Sequence, residues 1–516
     1  MNHDAGSNGR RSATTWSRRR FLGTTGGVGA GLLLTGCGES VASPRTVALT
    51  DRIGPGGPEV EAAEQARRAT AGRTLARTLQ AQPSTVDIGG RTVSTWTYNG
   101  ALPGPEIRAR VGDTLKVRLE NQLPQPTTVH WHGIALRNDM DGVPVLTQPQ
   151  IPSGGSFEYL FTLPHAGTYM FHPHVGTQLD RGLYAPLIID DPAEPGDYDL
   201  EHVVIFDDWI DGTGQNPDQV LAGLLRNGMG GMAGMGGDHG GMQMPTSSVL
   251  GGDAGDTTYP HYVANGRTRS APTTLDVRPG QRVRFRMINM GGDTAFRVGV
   301  PGAPMTVTHT DGFPVAPTDA EAVVIGMGER IDAVVTIPEA PAALIGIAEG
   351  KNDHAAVTLS TPQNSPVDTS AAASALASRS AVLSQTFASA EPVTLQRRPP
   401  DVVHDLVLAG PGALYDWTIN GERYDPARGL PISSGQRVRL RMVNTTTMFH
   451  PMHLHGHTFQ VVGPDGRGPR KDTVLVLPNQ TVEVDFDADN PGQWLTHCHN
   501  IYHGEAGMMT VVSYVA

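Results

Sequence analysis

Only two cysteines, Cys37 and Cys498, occur in 516 residues, so no disulfide framework holds this chain together. Charge is sparse, at 17% of residues, and 39 Lys and Arg are outnumbered by 51 Asp and Glu, a net charge of −12. A nucleic-acid partner wants a basic face, which this balance does not offer. Aromatic residues make up only 6%. The apolar stretch from Phe21 to Leu34 is too short and glycine-rich to span a bilayer comfortably. Glycine and proline, by contrast, are plentiful, at 63 and 40 residues. That composition suits a turn-rich β protein better than a helical one. At roughly 100–200 residues per domain, the length accommodates more than one core.

The N-terminus reads as an address. Ser17-Arg-Arg-Arg-Phe-Leu22 precedes the apolar stretch, and Leu34-Thr-Gly-Cys37 closes it. A basic region, a short apolar run and small residues make a secretory signal. The paired arginines resemble the twin-arginine export signal, and Leu-Thr-Gly-Cys resembles a lipobox, which implies cleavage after residue 36 and a lipid on Cys37. The expected location is extracytoplasmic, with membrane attachment only through that lipid. Residues 37–80 read as a tether, helical in the Ala-, Glu- and Arg-rich part from Pro58 to Gln80.

One pattern then occurs three times: Asn-Gly, followed by a Gly-led alternating strand that ends in Asn. The copies are Asn99-Gly100 with Gly112–Asn121, Asn265-Gly266 with Gly280–Asn289, and Asn420-Gly421 with Gly435–Asn444; each strand spans nine positions from Gly to Asn. Asn-Gly favours tight turns and period-two alternation favours half-buried strands. The expected fold is all-β, three related β-sandwich domains in tandem over 81–192, 197–362 and 400–516, with a Ser/Ala/Pro-rich linker at 363–399.

The repeats order the histidines. His130 and His132 stand nine and eleven residues after Asn121, and His453 and His455 stand at the same offsets from Asn444. The middle repeat has Val298 and Val300 there and so lacks the pair. A second pair follows Gly167 at five and seven residues, His172 and His174, and follows Gly492 at the same offsets, His497 and His499. Residues i and i+2 on a strand share a face, so each pair can present both imidazoles to one point. One such pair is weak evidence. Four in matched register, two in each outer domain, predict a site of several metals built where the outer domains meet.

Cys498 lies between His497 and His499, so alternation sends its thiol to the opposite face. His450, His503 and Met508 are near enough in sequence to join it. A thiolate, two imidazoles and a weak thioether are the blue-copper ligand set. The register equivalents in the first domain are Thr127, Pro173, Gln178 and Leu183, so no such site is expected there.

These residues resemble the multicopper oxidases, most nearly three-domain bacterial laccase-like enzymes and cuprous oxidases. The motifs are His-Trp-His-Gly at 130–133, His-Pro-His at 172–174, the run His450 to His457, and His497 to Met509. The resemblance covers about 80–516 and implies three cupredoxin domains and four coppers per chain. By resemblance, His130 and His453 hold the type 2 copper. His132, His172 and His499 hold one type 3 copper, and His174, His455 and His497 the other. His450, Cys498, His503 and Met508 form the type 1 site, where electrons enter. Asp141 resembles the family's acid that assists proton delivery. An axial Met508 implies a modest reduction potential. Many bacterial relatives carry an acid directly after the second type 1 histidine; here that position is Gly504, and Glu505, one residue on, would face the other way on a strand.

The implied reaction is one-electron oxidation of a reducing substrate coupled to four-electron reduction of O2 to water. The substrate is a phenol or aromatic amine in the laccase-like reading, or Cu(I) in a copper-tolerance reading. The second gains from residues 229–244, whose Met229, Met232, Met235, His239, Met242 and Met244 offer soft donors for Cu(I). A copper storage or carrier protein explains the Met and His richness but not a cysteine set between two cluster histidines. A two-domain nitrite reductase leaves the paired type 3 ligands without purpose.

Overall fold

The computed structural model describes residues 46–69, 72–194, 196–228, 245–360, 366–463 and 465–516. Residues 1–36, Cys37 and 229–244 therefore lie outside the described residues. Within them the fold is a series of paired β-sheets, as the turn-rich composition predicts. Residues 74–190 form two four-stranded sheets, the middle repeat a seven- and a six-stranded sheet, and the third repeat two six-stranded sheets. Among the described residues no helix is long and apolar enough to cross a membrane.

The repeated motif has one structural meaning throughout. The strands Thr114–Asn121, Arg282–Asn289 and Arg437–Asn444 each pair in parallel with the preceding long strand and antiparallel with the next. The Asn-Gly dipeptides are turns in which both residues have positive φ, near 55° and 75° at Asn99-Gly100, conformations that asparagine and glycine tolerate best. The terminal asparagine acts as a clamp. Asn444 donates from Nδ2 to the carbonyls of Met448 and Val476, and its Oδ1 accepts from the Thr446 amide. Asn121 and Asn289 make the equivalent bonds in their repeats. Each clamp fixes the loop that leads into the following strand, which in the outer repeats carries the first histidine pair.

Two expectations need correction. The stretch 37–80 is not a free tether where it is described. Val47–Ala48 adds a strand to the third repeat beside Arg428–Gly429. Pro58–Arg68 is a helix, and a long strand starts at Thr74. The helix is held because Glu64, fully buried, accepts from the amide and hydroxyl of Thr162, while Arg67 reaches Asn490 of the third repeat. It stops short of Gln80 because residues from Thr74 on alternate in parallel with Thr114–Asn121. The expected linker 363–399 likewise holds structure. Asp368 caps a helix at Thr369–Ala377, and Ala381–Leu383 adds a strand beside Ala322–Val324. Alanine favours helix, and the buried Leu376 gives that helix its contact with the middle repeat.

The outer repeats meet at Asn138. Its side chain donates to the Gln493 carbonyl at 2.7 Å and accepts from the Gln493 amide at 2.9 Å. These buried bonds join the chain just after one histidine pair to the strand that ends in another.

Candidate metal centre

The strand register brings the histidines together. His130–His132 runs antiparallel to Gly167–His172 with His130 opposite His172. In the third repeat His450–Leu454 runs antiparallel to Gln493–Cys498 with His453 opposite His497. The two outer repeats thus present matched pairs. At the middle repeat's equivalent positions Val298 and Val300 are buried in apolar packing.

All eight paired histidines converge between the outer repeats. The ligating atoms of His132, His172 and His499 lie within 4.8 Å of one another, as do those of His174, His455 and His497, and those of His130, His132 and His453. The rings of His132 and His453 stack at 3.8 Å and 10°, and those of His130 and His455 at 3.8 Å and 24°. Of the eight, His174 alone is partly exposed.

Hydrogen bonding shows which nitrogen of each ring faces inward. The Nδ1 atoms of His130, His172, His453 and His497 lie 2.9 Å from the carbonyls of Asp141, Pro173, Asp472 and Cys498. His455 Nδ1 lies 2.9 Å from Asp141 Oδ2. His132 is turned over: Nε2 lies 3.1 Å from Asp472 Oδ1. The opposite atoms, His130 Nε2, His132 Nδ1, His172 Nε2 and His453 Nε2, face inward and are buried without a partner, and neither nitrogen of the buried His499 has one. His455 and His497 point Nε2 at Nε2 across 3.1 Å. Burial holds most of these imidazoles well below the ordinary histidine range, His497 down to about 3. In His130, His132, His172 and His453 a bare lone pair faces inward while the other nitrogen is satisfied outward, which is the arrangement a cation requires.

A second group sits on the far side of the Gln493–Cys498 strand. Cys498 Sγ lies 3.6 Å from Nδ1 of both His450 and His503, whose Nδ1 atoms are 3.1 Å apart. Thr446 Oγ1 contacts His450 Nε2 at 2.8 Å, and Asp256 accepts from His503 Nε2 at 2.9 Å. Trp417 stacks on His503 at 3.8 Å. His503 lies on the short helix Ile501–Glu505, capped by Asn500, whose amide is held by Asp293 of the middle repeat at 2.6 Å. Met508 is buried, its amide bonded to the His503 carbonyl and its carbonyl to the Cys498 amide. Burial pushes the Cys498 thiol up, so a cation must replace its proton for the sulfur to bind as thiolate. In the first repeat the counterparts Thr127 and Gln178 bond to each other at 2.7 Å and fill the place.

Asp141 is fully buried between the pairs, with Oδ2 on His455 and Oδ1 3.2 Å from His130 Nδ1. Glu505 sits on a helix and not on a strand, so the strand alternation expected to turn it the other way does not apply. Its side chain lines a cleft of about 310 Å³ that it shares with His174, Arg423 and Met509. Burial, followed by the charge of Asp218, pushes it up to about 7. Sequence reasoning missed Asp256 and Asp472, the carboxylates on His503 and His132. Both come from segments remote in sequence from their histidines, and neither belongs to a repeated motif. The six candidate Cu(I) donors from Met229 to Met244 lie outside the described residues.

The donor set fits copper. Thiolate with two imidazoles and a thioether suits a blue-copper ion, and imidazole alone suits the three-metal group.

Comparison with known proteins agrees. Three family profiles, each described as multicopper oxidase, match residues 80–194, 201–361 and 397–515. The chain is 47% identical to multicopper oxidase MmcO of Mycobacterium tuberculosis over 97% of both chains. It is 29% identical to a copper resistance protein A homolog of Pseudomonas syringae, covering 83% of this chain and 90% of the relative. A solved multi-copper oxidase from Pseudomonas thermotolerans superposes with a TM-score of 0.66 at 28% identity, covering 86% of this chain and 99% of that one.

Proposed function

The chain belongs to the multicopper oxidases, copper oxidoreductases that pass electrons from a reducing substrate to O2, and we propose how its residues divide that work. His450, Cys498, His503 and Met508 would hold the type 1 copper, His130 and His453 the type 2 ion, His132, His172 and His499 one type 3 ion, and His174, His455 and His497 the other. The observation that carries this reading is Cys498, whose sulfur meets His450 and His503 while its two neighbours join the histidine group behind it. Copper bound at these positions supplies one-electron chemistry, cycling between its +1 and +2 states, so four ions match the four electrons O2 needs.

The protein supplies geometry and protons. Asp472 and the backbone carbonyls orient the cluster imidazoles from outside. Asp256 and Trp417 hold the His503 ring in plane. Asp141 touches two cluster histidines and is the proton-delivery residue. Glu505, in the cleft beside His174, stands between that cluster and solvent.

The reducing substrate is a phenol or aromatic amine in the first reading. A cuprous-oxidase reading has one structural observation in its favour: the described ends of the methionine-rich segment contact the chain segments that lead to Trp417 and Asp256, the neighbours of His503. Gly228 lies against Ala413, in the loop leading to Trp417, and the Pro245 carbonyl accepts from Ala254, two residues before Asp256. The copper resistance relative agrees with that reading. The N-terminal signature supports export, with Cys37 as the lipid attachment point.

Oxygen uptake by the copper-loaded protein tests the function. The account predicts uptake with a phenol or Cu(I) at one O2 per four electrons, with water as product. A loaded protein that takes up no oxygen with either donor is a carrier, and the oxidase reading fails.

A further inference from the structure

The middle repeat brings no histidine pair, yet its loop Gly326–Arg330 forms part of the wall around the histidine group. Gly328 has φ +83°, and a Cβ there would stand 2.7 Å from His499 Cδ2 and 3.1 Å from His132 Cε1, so only a bare backbone fits against both rings. Two residues on, Arg330 is fully buried and forks onto Asp472, with Nη1 to Oδ1 at 2.7 Å and Nη2 to Oδ2 at 2.6 Å. The guanidinium is itself fixed by the Thr168 carbonyl of the first repeat at 3.1 Å and the Gly328 carbonyl at 3.0 Å. All three repeats therefore meet at this one group. Asp472 passes the constraint on, since its Oδ1 is the atom that accepts from His132 Nε2.

His132 is where such a constraint matters. His130, His172, His453, His455 and His497 turn Nδ1 outward, while His132 turns Nε2 outward and leaves Nδ1 for the metal. An imidazole turned over in this way needs an acceptor at a particular distance and angle behind it. Asp472 stays in that place because a planar guanidinium grips both of its oxygens, a geometry lysine cannot reproduce.

We propose that Arg330 is a positioning residue for the oxygen-reducing cluster: through Asp472 it holds His132 turned with Nδ1 inward, so a middle repeat that brings no histidine pair still helps shape the copper site. This rests on the reading of His132 as a copper ligand.

The test compares Arg330→Lys with Arg284→Lys in the full, copper-loaded chain. Arg284 is an equally buried arginine of the middle repeat, paired with Glu194 and Asp332 and touching no candidate ligand. Copper retention is read against a graded chelator, together with the near-ultraviolet band of the coupled copper pair, the blue band and the melting temperature. Arg330→Lys is expected to release cluster copper at roughly 10–100-fold lower chelator, the usual cost of losing a group behind a metal ligand. Its near-ultraviolet band weakens while the blue band stays, and Arg284→Lys changes neither. Native chelator resistance in Arg330→Lys overturns the proposal, as does an equal loss in Arg284→Lys. If Arg330→Lys fails to fold, Asp472→Asn serves in its place with the same selective loss expected and the same reversal if it is native. Undiminished copper in His132→Ala overturns the ligand reading instead.

Discussion

His497 and Cys498 are adjacent in the chain but face opposite sites, and His497 Nδ1 donates back to the Cys498 carbonyl at 2.9 Å. His497 points Nε2 at His455 across 3.1 Å, while Cys498 Sγ lies 3.6 Å from His503 Nδ1. An electron reaching the sulfur thus has a covalent path to the histidine group, with a hydrogen bond alongside it. Cys498→Ser is expected to abolish the blue colour and turnover while leaving the melting temperature close to native, because serine is nearly isosteric. The absorption spectrum decides this, and a variant that stays blue contradicts the type 1 assignment.

Asp141 touches His130 and His455 without being a ligand in the proposed sets. Asp141→Asn keeps its shape and removes its charge. The blue band is expected to form and to be reduced normally. Reoxidation by O2 should slow by about 100-fold or more, the usual scale for a lost proton donor or acceptor. Stopped-flow mixing of the reduced protein with oxygen measures it, and a native reoxidation rate contradicts the role.

Much of this site is legible in the sequence, for a physical reason. A β-sandwich duplicated along the chain repeats its register, so equal offsets from Asn121 and Asn444 translate into equal places on equivalent strands. What neither repeated nor lay beside a histidine motif was not legible. Asp256, Asp472 and Arg330 act across repeat boundaries, and nothing near them in sequence announces the histidines they serve. The strand at Val47–Ala48 was hidden similarly, since its partner lies far along the chain at Arg428–Gly429. The helix at Thr369–Ala377 was missed because an alanine-rich run carries little apolar periodicity, and its one deep contact is Leu376.

Removing residues 229–244 distinguishes the two substrate readings. If the methionines deliver Cu(I), the deletion should cut Cu(I) turnover at least about tenfold, a barrier change of about 1.4 kcal/mol, and barely touch phenol turnover. Steady-state oxygen uptake with each donor provides the comparison. Equal effects on both donors count against Cu(I) as the preferred substrate.

Acid should loosen the seam between the first and middle repeats. Asp332 is buried against Arg284 and Arg286 and accepts from Thr168. Burial alone opposes its charge, but the two guanidiniums hold its carboxyl down at about 2, against 3.8 ordinarily. A carboxyl held below its unfolded value contributes stability that is complete above about pH 4 and lost as pH falls toward 2. The contribution is on the order of 2 kcal/mol. Asp332→Asn should cost about 3 kcal/mol at neutral pH, because two buried guanidiniums lose the carboxylate between them and keep only Glu194 and Glu201, and should flatten the acid limb of the stability curve. Denaturant unfolding across this pH range measures both, and an unchanged acid limb contradicts the assignment.

The most direct measurement is copper per chain in the fully loaded protein, taken with its visible and paramagnetic spectra. The account predicts four ions: one blue, one ordinary paramagnetic copper, and two that are silent because they are coupled to each other. A saturated preparation holding a single copper per chain would contradict the claim that two outer repeats enclose a three-metal cluster beside Cys498.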